Sequence, residues 1–294
     1  MSMSPSVAVV GPGAIGTTVA AALHEVGRTP RIYGRTPREQ LELRVDDDRI
    51  LVPGPVQTSP AQVDGAVDLV FLAVKSTQVE AAAPWLKALC DADTVICVLQ
   101  NGVEQQNLVT PYSHGARIIP SVVWFPAQAQ PDGSVWLRAA PRLTLPDTPA
   151  ARVALTALRG TRCSVELSTD FASVAWRKLL QNAVAGLMVL TGRRSGMFAR
   201  DDIAALSLAY LREGLEVARA EGASLSDEVP REIVSAFQAF PPDMGTSILA
   251  DREANRPLEW SIRNGVIQRR GRAHGIPTPI SDLVVPLLAA ASDG

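Results

Sequence analysis

Several short stretches of the sequence combine residue types that could do chemistry. The first is Gly11-Pro12-Gly13-Ala14-Ile15-Gly16, a GxGxxG run that directly follows the β-branched stretch Ser6–Val10. Glycine at 11 permits a tight turn, and glycine at 13 removes a side chain that would block a pyrophosphate. Glycine at 16 lets the following helix lie close to a sheet. The backbone N–H groups of Ala14, Ile15 and Gly16 open that helix, whose terminus carries partial positive charge suited to phosphates. A lone GxGxxG also occurs in ordinary turns. Here a strand precedes it and a helix follows, the context a dinucleotide site requires.

The next stretch, Tyr33-Gly34-Arg35-Thr36, lies where an NAD site carries Asp or Glu for the ribose 2′-hydroxyl, about 20 residues after the loop. Arg38 is nearby, and no carboxylate occurs before Glu39. A guanidinium forms paired bonds to a 2′-phosphate that a carboxylate would repel, so Arg35 predicts NADP(H). A solvated loop arginine is the other reading. Two apolar runs then end in Val74-Lys75-Ser76 and Leu99-Gln100-Asn101-Gly102. In an open α/β sheet, ligands bind beyond the carboxyl ends of the strands, which makes Lys75 and Asn101 candidates for touching cofactor or substrate. Polar residues follow buried strands routinely, so neither is diagnostic alone.

The remaining candidates fall later. Lys178, Asn182 and Gly186 recur at four-residue spacing among Leu179, Leu180, Val184, Leu187 and Met188, which places them on one face of a largely buried helix. Lysine is rarely fully buried without a partner. Lys178 is thus either a proton donor facing a cleft or a stem snorkelling to the surface. Thr246-Ser247-Ile248-Leu249-Ala250-Asp251 is followed by Arg256-Pro257-Leu258-Glu259. Thr246 or Ser247 could cap a short helix or hold a substrate carboxylate there. Glu259 would stand in the first turn of a helix begun at Pro257, where the dipole already favours a carboxylate.

Elements able to position these residues are visible in the pattern. Asp68–Val74 and Thr94–Leu99 are continuous apolar runs, as parallel strands buried on both faces require, with a helical pattern over Val79–Leu89 between them. Pro30–Tyr33 reads as another short strand, after an alanine-rich helix that Gly27 stops. Ile118–Trp124, Ser134–Leu137, Arg142–Leu145 and Cys163–Leu167 read as later strands, some antiparallel, closing the same sheet, with a helix near Ala150–Leu158. Beyond Leu167 only helices are predicted: Asp170–Thr191, Ile203–Glu221, Pro230–Phe240, Pro257–His274 with Gly275 as its stop, and a last one from about Pro279. The fold class is α/β, with an N-terminal Rossmann-like dinucleotide-binding domain over 1–167 and an all-α C-terminal substrate domain over 168–294.

A length of 294 residues suits these two domains. With 47% hydrophobic and 20% charged residues the chain can build a sizeable core, and a net charge of −2 gives no electrostatic footprint for nucleic acid or anionic membrane. Cys90, Cys97 and Cys163 fit neither a disulfide framework nor a zinc site, and no metal is expected. Neither a leader nor a run of about 20 apolar residues for a membrane is apparent, so a cytoplasmic location is expected.

Taken together, the N-terminal GxGxxG, the QNG after a mid-domain strand, the WRKLLQN helix, TSILAD, PLEWSIRNG and RAHGIPTP resemble the ketopantoate reductase family over nearly the whole chain. The resemblance implies NADPH and a 2-keto acid held in a cleft between the two domains. It further implies Lys178 as the general acid and Glu259 as the residue holding Lys178 and a substrate hydroxyl. Asn101, Asn182 and Ser247 would orient the keto acid. The family carries a second asparagine where this chain has Gly186, a loss expected to open a small space and favour a bulkier or less polar substrate. Two rivals stand beside this reading: an opine or 3-hydroxyacid type of dehydrogenase, and a non-catalytic NADP-binding sensor. The first usually relies on a histidine, and His24, His114 and His274 stand in no such motif. An exposed apolar face on the second domain would support a homodimer.

Overall fold

Short β-branched runs dictate the first unit. In the computed structural model, which describes residues 5–292, the strands run β1 (Val7–Val10), β2 (Arg31–Tyr33), β3 (Gln40–Val45), β4 (Asp48–Pro53), β5 (Leu69–Leu72), β6 (Val95–Val98), β7 (Arg117–Pro120), β8 (Val122–Val123), β9 (Ala127–Ala129), β10 (Val135–Leu137), β11 (Arg142–Pro146) and β12 (Ser164–Ser168). The helices are α1 (Ala14–His24), α2 (Val79–Leu89), α3 (Gln105–Val109), α4 (Ala151–Leu158), α5 (Phe171–Thr191), α6 (Asp201–Ala220), α7 (Val229–Ala239), α8 (Ser247–Glu253), α9 (Val266–His274) and α10 (Pro279–Ser292). Two compact units result, Met1–Phe171 and Ala172–Gly294. Part of the N-terminal segment read as lacking a leader lies outside the described residues.

β2, β1, β5, β6 and β7 pair in that order, all parallel, with Val9 opposite Ile32 and Phe71, and Cys97 opposite Phe71 and Ile119. The residues of β1, β5 and β6 are all buried, which is why these runs show no polar alternation. α1 packs one face of this sheet through Val19–Leu23, and Trp85, Leu86 and Leu89 of α2 belong to the apolar cluster of the other.

Of the later strands only β7 joins that sheet, at its edge. β3 and β4 form a hairpin that continues through β10 and β9 as a separate four-stranded sheet, and β12, β11 and β8 make a third. The expected strand Ile118–Trp124 is broken at Ser121, whose Oγ donates to the Val98 carbonyl at 2.6 Å while β7 and β8 join different sheets. Proline at 120 has no N–H with which to extend a ladder.

The second unit is helical. Glu213 of α6 is buried and accepts from the N–H groups of Ile280 (2.7 Å) and Ser281 (2.9 Å) and from the Ser281 hydroxyl (2.5 Å), satisfying the free donors that open α10. The helix expected from Pro257 begins only at Trp260, and its first turn, Ser261–Gly265, is π-helical before α9 continues to His274. The segment before it is held out of the helix: the Arg256 N–H donates to the Asp251 carbonyl at 2.9 Å and the Leu258 N–H to Ser292 Oγ at 3.0 Å. Glu259 therefore precedes the helix rather than lying in its first turn. Gly275 ends α9 in the left-handed conformation, as anticipated. Among the described residues no helix is long and apolar enough to cross a membrane.

The Glu213 cap gives a stability prediction. Glu213→Ala leaves two backbone donors and a hydroxyl buried without a partner, and should cost about 3 kcal/mol. That corresponds to a melting temperature lower by about 6–12 °C, with Glu213→Gln less affected. Calorimetry showing an unchanged midpoint for the alanine variant would refute this assignment.

Candidate active site

Because all five strands of the central sheet point the same way, the loops after β1, β2, β5 and β6 emerge at one edge. Across that edge the order is Arg35 after β2, the glycine turn after β1, Lys75 after β5 and Asn101 after β6. Neighbouring strands lie about 4.8 Å apart, so these positions span roughly 14 Å, a length suited to an extended dinucleotide. The ladder runs past the strand ends and fixes the loops: Gly11 N donates to the Tyr33 carbonyl at 2.9 Å, Ala73 N to Val10 at 2.8 Å and Leu99 N to Leu72 at 2.9 Å. Gln100 Nε2 donates to the Val74 carbonyl at 2.8 Å, joining the two loops that carry Lys75 and Asn101.

Each glycine of the turn has a distinct reason. Gly11 sits at φ +92°, and a Cβ there would lie 2.7 Å from Val74 Cγ1. A Cβ at Gly16 would fall 2.3 Å from the Gly11 carbonyl oxygen and 3.2 Å from Ala73 Cβ, so glycine is the condition for α1 to approach the sheet. Gly13 is different: no atom lies within 4 Å of its absent Cβ. It is the N-cap of α1 and supplies no side-chain hydrogen bond, so the N–H groups of Ala14, Ile15 and Gly16 open onto that space. A phosphate fits such a terminus. Arg35 is exposed on the turn after β2, and Lys75 and Asn101 are partly buried.

In the second unit, α5 carries Lys178, partly buried, and Asn182, buried, one turn later. Ser247 opens α8 and is exposed. Thr246 holds the N-cap position, yet its buried hydroxyl makes no capping bond and has no partner among the described residues. Glu259 is partly buried. A residue absent from the sequence reading joins several of these. Arg263, in the π-helical turn, is only 2% exposed, and its Nη1 donates to Ser247 Oγ at 3.2 Å and its Nη2 to the Asn182 carbonyl at 3.3 Å. Burial draws its pKa down to about 10, opposed by the negative charges of Glu259 and Asp251. It stays protonated at neutral pH. The available signal was a cation at the fourth position after Glu259 on the apolar side of Leu258, Ile262, Val266 and Ile267.

Gly186 does not open a space. A Cβ there would lie 2.9 Å from Asn264 Nδ2 and 3.1 Å from Leu288 Cδ1, because the Asn264 amide already fills the position. That amide donates to the Ala183 carbonyl at 2.9 Å and to the Tyr210 hydroxyl at 3.0 Å, and Asn264 is fully buried. The expected room for a bulkier substrate is absent. Of the three histidines, His24 bonds Thr29 and His274 bonds Glu221. Cys90, Cys97 and Cys163 are buried free thiols, with burial raising the pKa of each. Among the described residues no His/Cys/Asp/Glu cluster could hold a metal.

Comparison with known proteins identifies the family. Residues 7–150 match the family model described as ketopantoate reductase PanE/ApbA, and residues 170–292 match its C-terminal counterpart. The chain is 57% identical to a 2-dehydropantoate 2-reductase of Mycobacterium tuberculosis over 293 residues, covering 99% of each. It is 35% identical to one from Caulobacter vibrioides, covering 98% of this chain and 99% of that one. The structure of a dimeric ketopantoate reductase from Staphylococcus aureus superposes with a TM-score of 0.89 at 27% identity, covering 98% of this chain and 99% of the other.

The contrast between Gly13 and Gly16 is testable. Gly13→Val meets open space and should cost no more than about 1 kcal/mol as a poorer N-cap, while abolishing the rise in melting temperature that NADPH produces. Gly16→Val should lower the melting temperature of the ligand-free protein itself. Undiminished stabilisation of Gly13→Val by NADPH would remove the phosphate from this turn.

Proposed function

From the premise that this chain belongs to the ketopantoate reductase family, we propose how its own residues carry out the reduction of ketopantoate to pantoate with NADPH. The carrying observation is that Asn182, one turn beyond Lys178, and Ser247, distant in sequence, are bridged by a single buried side chain. Residues implied by separate motifs thus share one place in the second unit.

When bound, NADPH supplies the hydride that reduces C2 of the keto acid. The Ala14, Ile15 and Gly16 amides at the turn of Gly11 and Gly13 hold its pyrophosphate, and Arg35 pairs with the 2′-phosphate. Lys75 and Asn101 complete the contacts along the same edge. Lys178 transfers its ammonium proton to the carbonyl oxygen, so the C=O bond becomes C–H and O–H and one proton is taken up from water to restore the lysine. Its positive charge also stabilises the alkoxide as it develops. Glu259 holds the Lys178 ammonium and a substrate hydroxyl. Asn101, Asn182 and Ser247 orient the keto acid by hydrogen bonds.

The Asn264 amide beside Gly186 removes the ground for a larger substrate, and ketopantoate is the substrate of this reading. The cytoplasm, where NADPH and free thiols persist, is the compartment it requires. A homodimer belongs to the same reading. Exposed Leu283 and Leu287, one turn apart on α10, supply an apolar strip for it, to be tested by light scattering of the Leu287→Glu protein.

Turnover is followed by loss of NADPH absorbance with a panel of 2-keto acids. Ketopantoate should lead by a wide margin; comparable rates with unrelated keto acids would count against the assignment. Lys178→Met should reduce kcat by about 10²–10⁴-fold while the Kd for NADPH changes less than about twofold. Full activity in that variant would assign the proton to another group. Arg35→Ala should raise KM for NADPH by about 10- to 100-fold and leave KM for NADH unchanged, a split that a generally damaged site would not produce.

A further inference from the structure

Arg263 is a cation where a helix normally buries an aliphatic side chain. A guanidinium has five donors and no acceptor, and removing it from water costs several kcal/mol unless those donors and the charge are matched. Here the matching is partial. Nη1 and Nη2 reach one neutral oxygen each, Ser247 Oγ and the Asn182 carbonyl, and Nε is buried with no hydrogen-bond partner among the described residues. Glu259 and Asp251 supply negative charge nearby, and Asp251 is itself shared with Arg256, whose Nε stands 3.1 Å from it. A leucine or methionine would satisfy packing at this position without any of these demands.

The bond to Ser247 shows what the charge does. Because the guanidinium can only donate, Ser247 Oγ is the acceptor, and its hydroxyl proton must turn away from Arg263. Ser247 is exposed at the first position of α8 while Arg263 is enclosed beneath it. The hydroxyl is thereby oriented as a donor to whatever approaches, and it is polarised by a full positive charge behind it. The second bond, to the Asn182 carbonyl, locks the turn of α5 that carries the Asn182 side chain to the same guanidinium.

We infer that Arg263 is a positioning residue for substrate recognition: through Ser247 it presents a charge-backed donor to the carboxylate of the 2-keto acid, and it holds Ser247 and Asn182 in mutual register. This rests on the reading of the site as a 2-keto acid reductase. The ligand chemistry it selects is an anionic carboxylate beside a carbonyl, in preference to the neutral amide of the same skeleton.

The test compares ketopantoate with its primary amide, used as substrate or as competitive inhibitor, in the wild type, Arg263→Met, Arg263→Lys and Ser247→Ala proteins. Melting temperatures are recorded for each. Arg263→Met should raise KM for the acid by about 10- to 100-fold with kcat changed less than about threefold, and leave the affinity for the amide within about twofold. Arg263→Lys, which keeps the charge, should recover part of the preference for acid over amide. Combining Ser247→Ala with Arg263→Met should cost the acid less than the sum of the two, since both remove the same carboxylate contact through Ser247. Equal losses for acid and amide, or independent losses from the two substitutions, would overturn the inference and leave Arg263 a packing element. Should Arg263→Met fail to fold, Arg263→Lys and Ser247→Ala decide: an undiminished acid preference in Ser247→Ala is equally fatal. Wild-type protein that neither reduces ketopantoate nor binds pantoate refutes the underlying reading as well, whereas normal wild-type turnover with an unaffected Arg263→Met refutes the inference alone.

Discussion

The parallel pairing of β1 with both β2 and β5 is the constraint on which the cofactor edge depends. Parallel strands deliver every connecting loop of one kind to one edge, so four loops far apart in sequence become neighbours. The glycine turn then brings the start of α1 to that edge. Gly11 takes a conformation other residues resist, and Gly16 lets α1 rest on the Gly11 carbonyl. Were the helix pushed away by a single methyl group, its terminus would no longer face the row formed by Arg35, Lys75 and Asn101. Packing of α1 and the position of its terminus are two consequences of the same close approach.

The second unit solves a different problem, because helices offer no common edge. Its polar residues are fixed by bonds between elements: Arg263 to α5 and α8, Asn264 to α5 and Tyr210 of α6, Glu213 to the start of α10. Such groups are costly when half satisfied and rigidifying when satisfied. They concentrate around the π-helical turn. That turn adds a residue to the repeat and lets both Arg263 and Asn264, adjacent in sequence, be buried toward neighbouring elements.

Much of this was legible beforehand. The unalternated runs Asp68–Val74 and Thr94–Leu99 fitted doubly covered strands, and the glycine spacing lay between a strand and a helix. The hairpin of β3 and β4 was legible but overlooked: Leu41 and Leu43 inward alternate with Glu42 and Arg44, and Glu42 pairs with Arg44 and Arg49. The separate sheets escaped because a sequence registers that a strand exists and not which strand it joins; Ser121, bonded to Val98, is where the chain changes sheets. Pro257 promised a helix start, but bonds from Arg256 and Leu258 to Asp251 and Ser292 outweigh a proline's preference, and Ser292 is 34 residues away from Leu258. Arg263 was invisible for a related reason: a cation within an apolar helical pattern reads as surface until its partners are known.

Gly186 shows how a departure from a family pattern can mislead when only the residue itself is considered. The loss of an asparagine suggested a vacancy and a change of substrate. In the folded unit, the direction a side chain would take from 186 is occupied by another carboxamide, that of Asn264, delivered from a different element. Two amides cannot share the position, so asparagine as it stands at 264 requires glycine at 186. Asn264 is fully buried, and its Nδ2 donates to the Ala183 carbonyl and the Tyr210 hydroxyl within the unit. The exchange therefore concerns how α5 packs against the π-helical turn, and only through that packing where Asn182 and Arg263 come to stand. Position 186 therefore adds neither room nor a polar group on the side where Asn264 and Leu288 lie.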